Sequence, residues 1–596
     1  MSLHRELSLK LLLAVAIGLL SYASVVVAIT PPASGYEISI YTAYPVAFWV
    51  SIIVTIFAGQ LLVLEDVLRS EPAGYWKRGY ALIVAASGLL LFLPTMRYQY
   101  VMGRADTLTF AGSIDYITVN HALQPDNYYP MLHLLAATLS FLTGIEPIKI
   151  MQTIPPLFSL AFLLGTYCLI RYLFPARREW IVILPFVSLL FVGFEHLHFT
   201  PYNMSFLLVP IVLLYCLKAQ ERATVWPKVV MVVLVAALVF YHPLTGLLIV
   251  ALFAIAQVLS GLPRSLRFVS ERKAVPSVTV SLLVLVLLFA WYSRFETIVL
   301  SASSIVLGRG PSQLEHATDV ADRVSPTVAD LLRAGFTTYG MEALIGAATV
   351  AFLGILGYSH YRQRAPIDTY VAWFAGIFTV TFALGAVAFL VDVIFDPLRF
   401  TRYGMLAGGA IIGVGFLLLY QSRASTRSRH ALRLSMYTFL LVLVTISVIL
   451  LFPSPVADTA NLQVTEREVE GMDWTVTNEN DTMPTQDHGV LQHRHIDYLS
   501  DGTASTWELR ERDTAPPDHF GYDEHTRAGS HHAYDEDTYL LVTELARVEN
   551  PTLYPNYPDH WRHTPAEFQR LESDPTVDHV YTNGEFDTYI VRPTTE

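Results

Sequence analysis

Cysteine is almost missing from the chain: 596 residues hold only Cys168 and Cys216. Both fall inside apolar runs, so neither a disulfide framework nor a cysteine-based metal site is expected. Charge is scarce too, with Asp, Glu, Lys and Arg at 15% against 53% hydrophobic residues and a mean hydropathy of +0.43. Soluble globular domains carry about 25% charged residues, so this composition points to a polytopic membrane protein. Self-similarity at a period of about 20–50 residues is lacking, which argues against a helical repeat array. Lysine is rare and one-sided: Lys10, Lys77, Lys149, Lys218, Lys228 and Lys273 all lie in the first half.

What charge there is divides sharply. Residues 1–452 hold 30 Lys+Arg against 22 Asp+Glu, whereas residues 453–596 hold 9 against 29. A surface rich in carboxylates and free of lysine suits very high salt, where ions screen like-charge repulsion. The expected source is a halophilic archaeon. The basic start "MSLHRELSLK" precedes an apolar run with no clear cleavage site, so a retained first span is expected.

Crossing ~30 Å of hydrocarbon takes about 20 mainly apolar residues. Runs of that kind lie near 11–29, 46–64, 79–95, 150–172, 180–195, 203–217, 226–241, 243–260, 276–292, 341–358, 368–392, 403–420 and 431–452, giving thirteen expected spans. The run 128–145, "YYPMLHLLAATLSFLTGI", is short, led by Pro130 and interrupted by His133. Placed along the interface, it leaves the basic segments "YWKRG", "RYLFPARREW", "HYRQR" and "SRASTRSRHALR" on the cytoplasmic side with the N-terminus, as the positive-inside rule requires. The loop 96–149, the loop 293–340, "DPLRF" and the acidic tail then face outside. Two parts are expected: a transmembrane domain over 1–452 and an extracellular soluble α/β domain over 453–596. In the latter "TEREVEGMDWTV" reads as a helix, and Asn583-Gly584 joins two strands in a hairpin.

The outer face gathers the polar chemistry. Arg104, Asp106 and Asp115 stand in the first long outer loop, followed by Tyr129 and the Pro130-led segment with His133. Far downstream, "DPLRFTRYG" sets Arg399 and Arg402 at the outer entrance of another span, where a cation is costly unless it snorkels or meets an anion. Carboxylate and guanidinium groups on one membrane face suit a lipid phosphate. His133, His198 and His242 are candidates for contacts to sugar hydroxyls, as is His196. The spacing of "EHLH" and "YHP" is a weak metal signal, and no cofactor or metal is expected. Glu296, the acids of 315–322 and His531-His532 read as solvated polar segments.

In this order, a first-loop acid, an interfacial Pro-led helix and a late arginine-bearing span entrance, the chain resembles the GT-C superfamily of integral-membrane glycosyltransferases. "YYPMLHLLAA" is similar to the Pro-led helix of protein mannosyltransferases and aminoarabinose transferases, and "ESDPTVDHVYTNGEFDTYIVRP" resembles the terminal strands of archaeal members. The resemblance implies a GT-C-like fold and transfer of a sugar, mannose in the nearest pattern, from dolichyl phosphate to a glycan of a surface-layer glycoprotein or to a lipid-linked glycan. It places Asp106 as general base and Arg399, Arg402 and Arg104 on the lipid phosphate, with Tyr129 and the outer histidines touching substrate; the family's partner acid is absent at Thr107, and Asp115 is the candidate in its place. Two extra spans precede the loop, and Thr107 stands where many relatives carry Glu. The expected partners are a lipid-linked donor, a glycan acceptor and membrane lipid, with no nucleic acid.

Two other functions compete. An oligosaccharyltransferase would carry a "WWDYG"-like motif, for which the tail offers only "MDWTV" and "GYDEH". A flippase or transporter would need charges near mid-membrane, and the apolar runs are almost free of them away from their ends.

Overall fold

The computed structural model describes every residue except 1, 70–72, 99, 105, 175–176, 191–195, 222–223, 262–276, 297, 299–325, 364–366, 391–395, 424, 481, 504–513, 523–533 and 594–596. The acids of 315–322 and His531-His532 lie outside the described residues.

Every expected span meets a helix. Among the described residues nine helices are long and apolar enough to cross a membrane, from Glu6–Ile29 to Thr426–Ile449. The other four runs form shorter helices, Tyr75–Leu91, Arg177–Val187, Val225–Tyr241 and Val278–Tyr292. The first begins at Tyr75, after Gly74 at φ 87°, and carries Lys77 and Arg78 in its first turn; the second contains Pro185 near its end. The helix Pro130–Thr143 has 14 residues. At 1.5 Å per residue it reaches roughly 21 Å, short of the ~30 Å a crossing requires. Pro130 sits in its first turn, where a missing N–H is harmless, and Gly144 ends it at φ 69°.

The helix Leu398–Ser422 is the most enclosed span, with 83% of its apolar window buried. Its Gly409 and Gly413, four apart, let the helix Arg177–Val187 approach backbone to backbone; an added Cβ would stand 2.7 Å from the Phe186 carbonyl oxygen or from the Ile183 Cα. This contact fixes the helix that carries Arg399 and Arg402.

The acidic tail is an α/β unit. Its sheet runs in the order Thr485–His488, Thr538–Thr543, Phe586–Val591, Val577–Thr582, the first pair parallel and the others antiparallel. Strand Thr538–Thr543 is buried on both faces: Leu540 and Val542 join Phe520, Phe568 and Tyr589 on one side, and Leu541 joins Met472, Ile496 and Phe586 on the other. The expected helix spans Glu466–Asn478, capped by the Thr465 hydroxyl, which accepts from the Glu468 N–H. The Asn583-Gly584 hairpin forms, but with a longer turn than two residues. Only Gly584 takes positive φ, 87°, while Asn583 Oδ1 accepts from the N–H groups of Glu585 and Phe586.

The tail is clamped onto the loop 96–149. Val101–Met102 pairs antiparallel with Gln463–Val464. The tail helix Gln492–Leu499 lies against the loop helix Asp106–Asn120, so closely that a Cβ on Gly112 would stand 2.3 Å from the Asp497 carbonyl oxygen. Thr109 donates to Asp497 at 2.8 Å, Gln124 to the Gly502 carbonyl at 2.6 Å, and the Tyr100 and Tyr498 hydroxyls meet at 2.8 Å. Loop and tail therefore occupy one face of the helical body.

Candidate functional site

Asp106 opens the helix Asp106–Asn120, where a carboxylate complements the positive end of the helix dipole. Its side chain is half exposed, and its Oδ1 is held 2.6 Å from Arg494, a residue of the tail. Arg494 also donates to Thr109 at 3.0 Å, one helical turn along, so the guanidinium straps the first turn of the loop helix.

Beside Asp106 lies an aromatic cluster. The Tyr129 ring stacks on His242, centroids 5.2 Å apart; His242 meets Tyr202 edge-on at 5.4 Å, and the Arg399 guanidinium sits 4.9 Å over the Tyr202 ring. The Tyr202 hydroxyl donates to the Arg399 carbonyl oxygen at 2.8 Å, tying ring to helix. Burial raises the Tyr129 phenol to about 12; Arg399 pulls it down and Asp106 pushes it up, so both charges act on one hydroxyl. The structure thus brings Asp106, Tyr129, His242 and Arg399 to one place.

Arg402 is one helical turn on from Arg399 and is buried. Its neighbour in charge is one that sequence reasoning missed. Glu342, on the helix Val328–Gln363, is only 5% exposed, lies within electrostatic reach of Arg402 and Asp396, and among the described residues finds no hydrogen-bond partner beyond its own backbone. A lone acid at the border of the apolar run "MEALIGAATVAF" was the available signal. Arg494 left no such signal, being one of nine arginines in a strongly acidic tail.

Two expected site residues are placed elsewhere. Arg104 is not aimed at a phosphate: both of its terminal nitrogens bond Glu468 at 2.6 Å, it donates to the Gly489 carbonyl at 3.0 Å, and it lies over the Tyr36 ring. Burial pushes the Glu468 carboxyl up, but Arg104 and then His495 outweigh it and hold it below the ordinary glutamate range. Asp115 does not join Asp106. Nine residues along an α-helix is two and a half turns, which sets the two acids on opposite sides and roughly 13 Å apart along the axis. Asp115 is half-buried near Asp501 of the tail, and burial followed by that like charge raises it to about 6.

The outer histidines are packed and neutral. Burial lowers His133, His196 and His242 to about 3 and His198 to about 4, with Arg402 adding to the effect on His196 and Arg399 on His242. His133 pairs with the Asn127 amide at 2.9 Å, and His196 with the Ser159 hydroxyl at 3.0 Å. Of His133, His198 and His242, each expected to touch substrate, His242 alone stacks in the Tyr129–Arg399 cluster. Among the described residues no three His, Cys, Asp or Glu side chains gather around one possible metal position.

Among solved structures, the chain is similar to the Archaeoglobus fulgidus oligosaccharyltransferase complexed with zinc and sulfate, at 11% identity and a TM-score of 0.44, covering 80% of this chain and 70% of that one. It is also similar to ArnT from Cupriavidus metallidurans, bound to undecaprenyl phosphate (13% identity, TM-score 0.43) and in the apo state (12%, 0.42), each likeness covering 86% of this chain and 99% of that one. No curated protein matches the sequence. Residues 7–503, spanning the helical body, the clamped loop and the tail helix that carries Arg494, match the model of the Family of unknown function DUF6541, and the chain belongs to that family.

Proposed function

We propose that the protein is a GT-C-type glycosyltransferase that moves a sugar from a polyprenyl phosphate to a glycan acceptor at the membrane surface. The observation that carries this is geometric: Arg399 sits over the Tyr202 ring of the Tyr129–His242–Tyr202 cluster, in the same outer region where the half-exposed Asp106 carboxylate opens the loop helix, at the rim of an otherwise apolar body. In the reaction, an acceptor hydroxyl oxygen attacks the anomeric carbon as the bond from that carbon to the phosphate oxygen breaks. Asp106 takes the hydroxyl proton. With Oδ1 held by Arg494, Oδ2 is the oxygen assigned to it, and a positioned base of this kind is worth about 10²–10⁴-fold. The leaving lipid phosphate keeps the electron pair, and Arg399 with Arg402 offsets its charge through bidentate bonds. A single displacement inverts the anomeric centre.

The finer assignment follows the resemblance in sequence order: dolichyl phosphate as carrier, mannose as sugar, and the outer leaflet of an archaeal membrane as the place, with a surface-layer glycan as acceptor and the C-terminal domain outside. The test is a comparison of surface-layer glycan mass in a halophilic host between a strain lacking the gene and one carrying Asp106→Ala. Loss of the same single terminal hexose in both supports the reading. Complete loss of the glycan favours transfer of a whole oligosaccharide, and an unchanged glycan in the Ala strain removes Asp106 as the base.

A further inference from the structure

A cavity of 760 Å³ opens where the start of the helix Val328–Gln363 meets the tail segment 550–561. None of Asp106, Tyr129, His242, Arg399 or Arg402 lines it. Its floor is aromatic and apolar, formed by Tyr554, Tyr557 and Trp561 with proline and leucine side chains. The helical body and the tail build it jointly. The Tyr557 hydroxyl donates to Asp330 of the helix, Arg333 donates to the Pro455 carbonyl at 2.9 Å and to Asp458 at 3.0 Å, and the Trp561 indole donates to the Tyr554 carbonyl at 2.9 Å. Tyr554 is nonetheless 43% exposed and Leu331 52%. A large pocket with fixed rings and uncovered apolar area is the usual form of a ligand site.

The lining selects among ligands. Tyr and Trp faces carry the negative side of the ring quadrupole, which favours the polarised C–H groups on one face of a pyranose. Around those rings stand acceptors, the carboxylates of Asp330 and Asp458, and donors, the Asn556 amide and Arg333. Sugar hydroxyls both donate and accept, so they can add bonds to this mixed rim, whereas a hydrocarbon tail would remove its polar groups from water without adding any. Two carboxylates against one guanidinium disfavour an anionic ligand. Among the described residues no strand lines the cavity, so none offers an edge on which an extended peptide would pair.

We propose that this cavity is an acceptor subsite that holds a neutral saccharide chain, and that the tail thereby selects which glycan is extended. The word acceptor rests on the transferase reading above; the saccharide site does not. The experiment uses the full-length protein in nanodiscs over an array of neutral and uronate-bearing oligosaccharides, with an unglycosylated peptide as control. Trp561→Ala and Tyr554→Ala are expected to lower retention of a neutral oligosaccharide about tenfold. Asn556→Ala, an exposed change that leaves thermal unfolding in place, lowers it about threefold. Asp106→Asn leaves retention unchanged while abolishing sugar transfer. Failure of the wild type to retain any oligosaccharide, equal retention in all three cavity variants, or competition by the peptide overturns the proposal. Retention lost in the cavity variants alongside full transfer by Asp106→Asn sinks the transferase mechanism and leaves the saccharide site standing.

Discussion

Glu468→Gln tests whether the tail is held to the loop by charge or merely rests on it. In the native protein Glu468 is 3% exposed and Arg104 11%, and two bonds of 2.6 Å join them. Removing one partner of a buried pair strands the other and costs about 3–5 kcal/mol. Arg104 retains the Gly489 carbonyl and the Tyr36 ring after the change, so the lower end, ~3 kcal/mol, is expected. Divided by 1.4 kcal/mol per decade, that raises the opening equilibrium of the clamp by roughly a hundredfold. Hydrogen exchange of the amides in Gln492–Leu499 and Asp106–Asn120, followed in nanodiscs, reads this opening directly. The pair also carries a pH signature. Glu468 is depressed in the folded state, so its contribution is present above the ordinary glutamate value of about 4.3 and is lost as pH falls below it. After division by the intrinsic amide rate at each pH, the opening equilibrium should therefore rise in acid for the wild type and change little for Glu468→Gln. A less than threefold rise in exchange at pH 7, or an identical acid profile for both proteins, would refute the reasoning.

Three further outcomes are expected. Asp115 behaves in the opposite sense to Glu468: its folded value is raised to about 6, so protonation favours the docked tail and stability declines as pH rises from about 4 to about 6. Asp115→Asn should flatten that decline and add on the order of 1 kcal/mol at pH 7 after discounting for partial exposure, as thermal unfolding across pH will show. Gly112→Val places side-chain atoms where the Asp497 carbonyl stands, so proteolysis of the tail in detergent should quicken at least tenfold; an unaltered digestion pattern would remove the backbone-contact argument. Arg402→Lys preserves charge but loses the planar fork, and should weaken polyprenyl phosphate binding about tenfold in a titration while leaving the helical content intact.

The spans were legible because a bilayer imposes a length and a composition that a single sequence displays, and each of the thirteen apolar runs meets a helix. Asp106 and Arg399 stood out for a related reason: in a chain this apolar a charge near the end of a hydrophobic run is conspicuous, and both lie within electrostatic reach of Tyr129. Arg104 was equally conspicuous and was misread. Its partner Glu468 stands 364 residues away, inside a tail where 29 acids look alike, and nothing local marks the one that is buried. Arg494 was hidden in the same way. Asp115 differs, since the spacing of nine residues already places it across the helix from Asp106. Proximity along the chain was taken for proximity in space, and helical phase decides otherwise.

The strand pairing between Val101–Met102 and Gln463–Val464 also sets a schedule. The loop acid leaves the ribosome long before its clamp, and at roughly 5–20 residues per second the intervening stretch takes on the order of 20–70 s to synthesise. During that interval most of the spans, including the helix that carries Arg399 and Arg402, are themselves being made, and Asp106 has no Arg494 beside it. A nascent chain therefore lacks the complete surroundings of Asp106 until its last part has folded, and translation orders when the two halves of that site meet.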